Sequence, residues 1–425
     1  MNNYPPSHQR VSDGYYIDED PGTLLKKNSV LDGWFPLRYS LDIYKTCNEK
    51  GGYYNTAVGV GGGSGAARIK VYSNVLEHLN KELPALKHQI THAANRTIVT
   101  GDYDNTQTMT PLIGLGSHFN DPFMPLPAHI KHVGGGEVLA KLMYAGYRGL
   151  VLTRNPQRLT SLIEAYKDRN RFPTKYFAQE NLPIVITAFT LAANEEERTL
   201  LEPPSPSLTE RMTALNALHH LGVPLGALIL SLAPWEEGVE WARLEKLLTR
   251  LYEVGVNFMM LTFLFANQTK QVYRHLYKRR DVCHSLAKFA PIAEKKPEHT
   301  YDFTSAKHKL ERLFRNRMRE LGLVFMPPAH FYRSHLSIKD RIAVTLIQMY
   351  YLLKELGRRR AFLRNASYHL SLMHENEFAE LIRTHKLATL PGIGAYTERI
   401  ILKMALKNDY EEFDKILMEW YTATS

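Results

Sequence analysis

Five short apolar runs set the strongest limit on what this chain can fold into: PLIGLGS (111–117), RGLVLTRN (148–155), LPIVITAFT (182–190), VPLGALILSL (223–232) and VNFMMLTFLF (256–265). Runs this short, bounded by glycine or proline, suit strands buried on both faces. Between them lie stretches of helical period, EVLAKLMYAGY (137–147), LTERMTALNALHHLG (208–222) and VEWARLEKLLTRLYEVG (239–255). In the last, Leu244, Leu247, Leu248 and Leu251 fall on one helix face, and Gly222 and Gly255 stand where glycines close helices. Strand, helix and strand recurring every thirty to forty residues or so is the pattern of right-handed parallel units. The expected fold class is α/β, a full or partial parallel (βα) TIM-like barrel, with a doubly wound open sheet as the competing arrangement. Either fold puts its functional surface at the C-terminal edge of the strands. That edge holds Ser117 to Asp121, Thr153, Arg154, Thr187, Ser231 and Thr262.

The texture changes along the chain. Residues 1–30 are polar and turn-rich and read as an extended N-terminal arm, with the barrel spanning 31–325. After about residue 300 the chain becomes helical and arginine-rich: KHKLERLFRNRMRELGL (307–323) is amphipathic, MPPAHF (326–331) breaks it, and 336–425 reads as a small all-α domain.

The 425 residues carry 53 Lys plus Arg against 43 Asp plus Glu, a formal charge of +10 that favours polyanionic partners. The two cysteines, Cys47 and Cys283, form no CxxC pair, which excludes a disulfide framework and an all-cysteine zinc site. A reducing cytoplasm is the expected compartment. The opening MNNYPPSHQRVSDGYYIDEDPG has no apolar run behind a basic start, and no later stretch supplies about 20 uninterrupted apolar residues, so neither secretion nor a membrane span is expected.

The clearest local motif is LATLPGIGAYTERIILKMA (387–405), where Pro391, Gly392, Ile393 and Gly394 separate two helical patterns. This is the helix-hairpin-helix pattern: the glycines allow close approach to backbone N–H groups, and the following helix N-terminus favours a phosphate. A turn of this kind can also serve structure alone. Upstream, LGRRRAFLRNASYHL (356–370) supplies Arg358, Arg359, Arg360 and Arg364, a density that favours nucleic acid. The stretch from about Leu356 to Ala405 resembles the small N-terminal helix-hairpin-helix domain of family X DNA polymerases, in the order RRRAFLRNA, NEFAELIRTHKLATL and PGIG. The resemblance implies a grip on DNA backbone with little sequence preference. No polymerase catalytic domain follows the motif, so polymerase activity is not implied.

LRYSLDIYKTCNEKGGYYN, ARIKVYSNVLEHLNKELPAL (67–86), IGLGSHFNDPFMPLP (113–127), LVLTRN (150–155) and LEPPSPSLTERMTALNALHHLGVPLG (201–226) together resemble the radical S-adenosylmethionine barrel. The similarity runs from about residue 25 to 325 and is nearest the spore photoproduct lyase-like, or DNA repair photolyase-like, branch. In that family a CxxxCxxC loop holds an iron–sulfur cluster through thiolates, because soft sulfur ligands stabilise such clusters. Here Cys47 occupies the first position, but Gly51 and Tyr54 occupy the second and third. Cys47 is the only retained cluster-ligand position, so no metal site and no cluster are expected; S-adenosylmethionine or a nucleotide are the cofactor candidates. GVGGGSG (59–65) lacks the Gly-Lys-Ser/Thr ending of a phosphate loop and reads as a flexible loop. His219 and His220 fall on a helix, away from the strand edge.

Catalytic roles are not assignable from the sequence. The pocket candidates are Ser117, His118, Asn120, Asp121, Thr153, Arg154 and Glu202, which offer donors and an acceptor suited to a nucleoside or phosphate, or else close loops and cap helices. Glu202 reads as a helix-end charge or a pocket carboxylate. The DNA-contact candidates are Arg358, Arg359, Arg360, Arg364, Gly392, Ile393 and Gly394. The expected function is DNA binding in DNA modification or repair, with DNA and a pathway protein as partners and no membrane. The alternatives are an enzyme modifying a DNA base or nucleotide in the barrel pocket, and an interaction protein whose hairpin contacts protein.

Overall fold

The computed structural model describes residues 9–12, 15–18, 22–46, 69–72, 74–96, 111–116, 121–124, 133–167, 182–192, 194–202, 205–232, 237–264 and 303–423. The strands are β1 (Gln9–Ser12), β2 (Tyr15–Asp18), β3 (Leu25–Lys27), β4 (Tyr39–Leu41), β5 (Tyr44–Thr46), β6 (Ile69–Tyr72), β7 (Leu112–Leu115), β8 (Arg148–Thr153), β9 (Ile184–Thr190), β10 (Leu225–Leu232) and β11 (Phe258–Leu264). The helices are α1 (Val75–Arg96), α2 (Gly135–Tyr144), α3 (Gln157–Lys167), α4 (Glu195–Leu201), α5 (Leu208–His220), α6 (Glu237–Glu253), α7 (Phe303–Glu320), α8 (Ile338–Glu355), α9 (Ala361–Leu372), α10 (Glu375–Thr384), α11 (Ala395–Lys407) and α12 (Glu411–Thr422). A seven-stranded, mostly parallel sheet has the order β11-β10-β9-β8-β7-β4-β3, and a four-stranded sheet has the order β1-β2-β6-β5. Each of the five apolar runs contains one strand of the larger sheet. The fold is mixed α/β, and its strand order follows the chain without the reversal that defines a doubly wound sheet.

The chain divides into two compact units, Met1–Leu24 with Leu41–Leu79 and Gly114–Phe325, and Leu25–Ser40 with Asn80–Ile113 and Met326–Ser425. In the first, β8, β9, β10 and β11 pair in parallel, with Thr153 opposite Thr187 and Thr187 opposite Ala227. All described side chains of β8 and β9 are buried, as their unbroken apolar sequences require. α6 turns Leu244, Leu247, Leu248 and Leu251 inward. α5 starts at a capping box in which Ser207 and Glu210 satisfy each other's backbone N–H groups. Gly255 closes α6 with φ +82°, and a Cβ there would lie 2.3 Å from His219, so both conformation and space demand glycine.

The helical unit is tied together by a buried charge cluster. Arg38, near the end of the Leu25–Ser40 segment, forks onto Asp340 of α8, bonding Oδ2 at 2.8 Å through Nε and Oδ1 through Nη2. Its remaining guanidinium nitrogen donates to the carbonyls of Asn28, Ser29 and Ser371. Lys339 Nζ donates to Asp340 Oδ1 at 2.7 Å and to the Leu370 carbonyl at 3.1 Å. Burial alone would raise the Asp340 pKa, but the Arg38 hydrogen bonds and the Lys339 charge outweigh it and hold the carboxyl below its usual range. The same segment gives Gly33 O to Gln348 Nε2 at 3.0 Å and Leu31 N to Ser371 Oγ at 3.3 Å. Arg38→Ala should therefore destabilise the helical unit by about 3 kcal/mol, the low end for breaking a buried pair because Lys339 still bonds Asp340. Urea unfolding of the full chain followed by far-UV circular dichroism measures it; a loss near zero would mean that the fork contributes nothing.

Candidate functional site

At the C-terminal edge of the parallel strands, Asp121 gathers the polar groups of the loop after β8. Its Oδ1 accepts from the Thr153 hydroxyl at 2.6 Å and the Phe123 N–H at 2.9 Å, while Oδ2 accepts from the Arg154 N–H at 2.9 Å and Asn155 Nδ2 at 2.8 Å. Thr153 Oγ1 in turn accepts from the Asn155 N–H. A carboxylate with four donors around it has its lone pairs engaged, which suits it to clamping two loops together. The Asp121 to Phe123 bond is the Asx turn expected of an Asn-Asp-Pro stretch.

Glu202 ends α4 and is completely buried. Its Oε2 accepts from Arg211 Nη2 at 2.5 Å, its Oε1 accepts from the Thr190 N–H at 2.6 Å, and Arg154 Nε stands 3.5 Å from Oε1. Arg198 approaches within 3.9 Å and also binds Glu195. Burial by itself would raise the Glu202 pKa, yet Arg211 and Arg154, with the two hydrogen bonds, hold it below the normal carboxylate range. It is thus a hub, ionised near neutral pH, that joins α4, α5 and the ends of β8 and β9, and it is not set up to deliver a proton there. It stands at the C-terminal end of α4, buried, with both carboxylate oxygens engaged.

Thr187 and Ser231 are fully buried, and neither hydroxyl has a hydrogen-bond partner among the described residues. By register they share one sheet face with Thr153. Thr262 is half-buried on β11, paired with Leu230. His219 and His220 are exposed at the C-terminal end of α5, the opposite end of that helix from Arg211. Ser117, His118, Asn120, Cys47, Gly51, Tyr54, Cys283 and the 59–65 loop lie outside the described residues. Among the described residues no group of three or more His, Cys, Asp or Glu side chains is arranged to hold a metal ion, and no helix is long and apolar enough to cross a membrane.

In the helical unit, α10 ends at His385 in the left-handed region, and a short 3-10 turn, Leu387–Thr389, leads into Leu390-Pro391-Gly392-Ile393. The Ile393 N–H bonds the Leu390 carbonyl at 3.1 Å and Gly392 has φ +79°, the arrangement of a type II turn with Pro and Gly at its two centres. Ile393 is buried beneath the turn, whereas Gly392 and Gly394 are exposed. Gly394 is the N-cap of α11, and no side chain caps that end, so its first-turn N–H donors have no side-chain acceptor of the capping kind. Glu398 Oε1 accepts from the Ala388 N–H and braces the hairpin.

Folding brings the upstream arginines to this turn. A Cβ on Gly392 would lie 3.1 Å from Asn365 Cβ of α9, and Phe362 of α9 meets Tyr396 of α11 at 6.0 Å between ring centres. Arg358, Arg359, Arg360 and Arg364 are all exposed at the start of α9. Arg358 has a partner that its sequence neighbourhood does not reveal, Glu419 of α12 at 2.5 Å. Arg360 lies 5.9 Å from the Phe362 ring centre and Arg364 5.7 Å from that of Tyr350. Tyr396, Arg399 and Glu412, which also line this corner, carry no sequence motif; the aromatic Tyr396 two residues after Gly394 was the available signal.

No protein-family model matches the chain, and no curated protein sequence matches it.

Glu202→Gln should destabilise the first unit by about 3–5 kcal/mol at neutral pH, because Arg211 is left buried without its counter-charge. The carboxyl has a depressed folded-state pKa, so its contribution is full above the unfolded value of about 4.3 and is lost as pH falls through the folded value. The gap between variant and parent in urea unfolding should therefore narrow on acidification. A gap that stays constant with pH would contradict an ionised hub.

Proposed function

We propose that the chain is a DNA-binding protein of DNA modification or repair. Its hairpin grips the DNA backbone, and its parallel α/β unit descends from a radical S-adenosylmethionine barrel. The observation that carries this reading is the meeting of two sequence-distant elements: the uncapped, glycine-flanked start of α11 and the exposed arginines at the start of α9. Backbone donors and a helix dipole supply a phosphate seat, and guanidinium groups beside it supply the long-range attraction. Neither group requires a particular base, so contacts position the duplex without reading it.

The donor set at the cluster position does not fit an iron–sulfur cluster. Glycine at 51 has no side-chain ligand, and a neutral tyrosine at 54 is a poor substitute for thiolate, which leaves Cys47 alone. A second reading, an enzyme acting on a DNA base or nucleotide in the barrel, is favoured by the partnerless hydroxyls of Thr187 and Ser231, since buried polar groups are ordinarily satisfied. Iron and acid-labile sulfide analysis after anaerobic reconstitution separates the two: the first reading expects neither in stoichiometric amount, and a full cluster that cleaves S-adenosylmethionine would replace it with the second.

Binding to a duplex should weaken steeply with added salt, and Arg359→Ala should reduce the slope of log K against log salt by about 0.9, the share of one phosphate contact. Arg358→Ala should change it less, because Glu419 already neutralises that side chain. Gly392→Val and Gly394→Val should abolish binding, the first through its positive φ and the contact with Asn365. Fluorescence anisotropy over a salt series measures all four, with circular dichroism melts to confirm folding. Undiminished binding by both folded glycine variants would remove the hairpin from the interface.

A further inference from the structure

The turn and the arginines share their corner of the helical unit with an exposed aromatic ring. Tyr396, the second residue of α11, is 43% exposed. An isolated exposed aromatic needs no explanation. This one is held on several sides: its hydroxyl donates to Glu412 Oε1 at 2.7 Å, Phe362 meets it edge to face at 89°, and the Arg399 guanidinium lies 5.5 Å from its ring centre. Burial of part of the ring, followed by the Glu412 bond, raises the phenol pKa, so the hydroxyl keeps the proton it donates. Basic and aromatic side chains stand together here, Arg360 by Phe362 and Arg399 by Tyr396, while Arg364 of α9 lies by Tyr350 of α8. A backbone grip needs only the charges. An oriented ring among them matches the way single strands are held, with arginines tracking phosphates and an aromatic face receiving a base.

We propose that Tyr396 is a stacking platform for an unpaired base, so that this hairpin holds single-stranded DNA more tightly than a duplex, of which it engages the phosphates alone. The proposal rests on the DNA-binding reading above and adds the form of the ligand. Tyr396 lies two residues beyond Gly394, so a nucleotide whose phosphate sits at the start of α11 has its base within reach of the ring. In duplex DNA that base is paired and stacked on its neighbours, and its face is closed to a side chain. Glu412 fixes the tilt of the ring, and Arg399 adds a cation beside the stacked pair.

The test compares three probes by fluorescence anisotropy on the full chain: an oligo-dT strand, an abasic strand of equal length and a blunt duplex. The abasic strand keeps every phosphate and lacks the bases, so its comparison with oligo-dT isolates stacking without any mutation. The expected result is oligo-dT binding about tenfold tighter than the abasic strand, equivalent to about 1.4 kcal/mol for one stacked base. Tyr396→Leu should remove that preference and Tyr396→Phe should restore it, since the ring survives without its hydroxyl. Equal binding of oligo-dT and abasic strand by the parent, or a preference kept by folded Tyr396→Leu, overturns the stacking role; salt-dependent duplex binding in the same assay then leaves the DNA reading standing. Failure to bind any of the three probes overturns both.

Discussion

The first unit is organised by the continuous parallel pairing of β8, β9, β10 and β11 in a layer whose side chains on β8 and β9 are all buried. A strand covered on both faces has its backbone groups satisfied by its neighbours and offers polar side chains few places to go except its ends. The chain obeys this in detail. Arg148 enters at the start of β8 and donates to the Leu182 carbonyl at 2.7 Å, while Thr153 and Arg154 leave at its other end into the Asp121 and Glu202 clusters. Charge at that edge is tolerable because each carboxylate meets several donors, half-buried Asp121 four neutral ones and fully buried Glu202 the Arg211 guanidinium and the Thr190 N–H, with Arg154 close by. The difference decides their chemistry. Asp121 fixes loop shape, and Glu202 fixes how α4 and α5 leave the sheet.

Thr187 and Ser231 depart from that rule, and they do so within the sheet itself. Both hydroxyls are buried on the face that carries Thr153, and a hydroxyl without a partner in a dry interior costs roughly 1–3 kcal/mol. An apolar residue of similar volume would avoid the cost at either position. Stability alone does not explain why these strands carry Thr and Ser where β11, at the same levels, carries Met259 and Phe263.

Periodic features were readable in the sequence because they arise from neighbours close in the chain. The five strands follow from apolar run length, the inward face of α6 from leucine spacing, and the Asp121 turn from Asn-Asp-Pro. The clusters were not readable, because each is completed by a partner whose identity no local pattern signals. Asp121 finds Thr153 thirty-two residues on, and Asp340 finds Arg38 across 302 residues. The latter pairing explains why the opening region, which reads as an arm leading into a barrel, has its Leu25–Ser40 stretch grouped with the terminal helices. Glu202 shows the same limit at short range: the convergence of Arg211 and Arg154 on it, which holds it ionised despite its burial, depends on packing that composition does not reveal. At the hairpin, the glycines and arginines were both visible, but their adjacency was not, since it depends on α9 folding back so that Asn365 touches the turn.

That adjacency matters more to the hairpin than the number of its arginines. Arg358 shows why: paired with Glu419, it contributes little net field, while Arg359, one residue away, is exposed at the same helix start. Guanidinium groups scattered over a surface attract a polyanion without orienting it, and a helix start alone is screened by water within about one turn. Under the proposed DNA-binding role, the two would act at two ranges, the charges drawing the strand in and the backbone donors fixing where a phosphate stops. The buried Arg38 and Asp340 fork ties the start of α8, against which α9 packs, to the Leu25–Ser40 segment and, through the Ser371 carbonyl, to the far end of α9. A fixed α9 keeps Asn365 and Phe362 against the turn, and so keeps the start of α11 and the ring of Tyr396 in one constant relation.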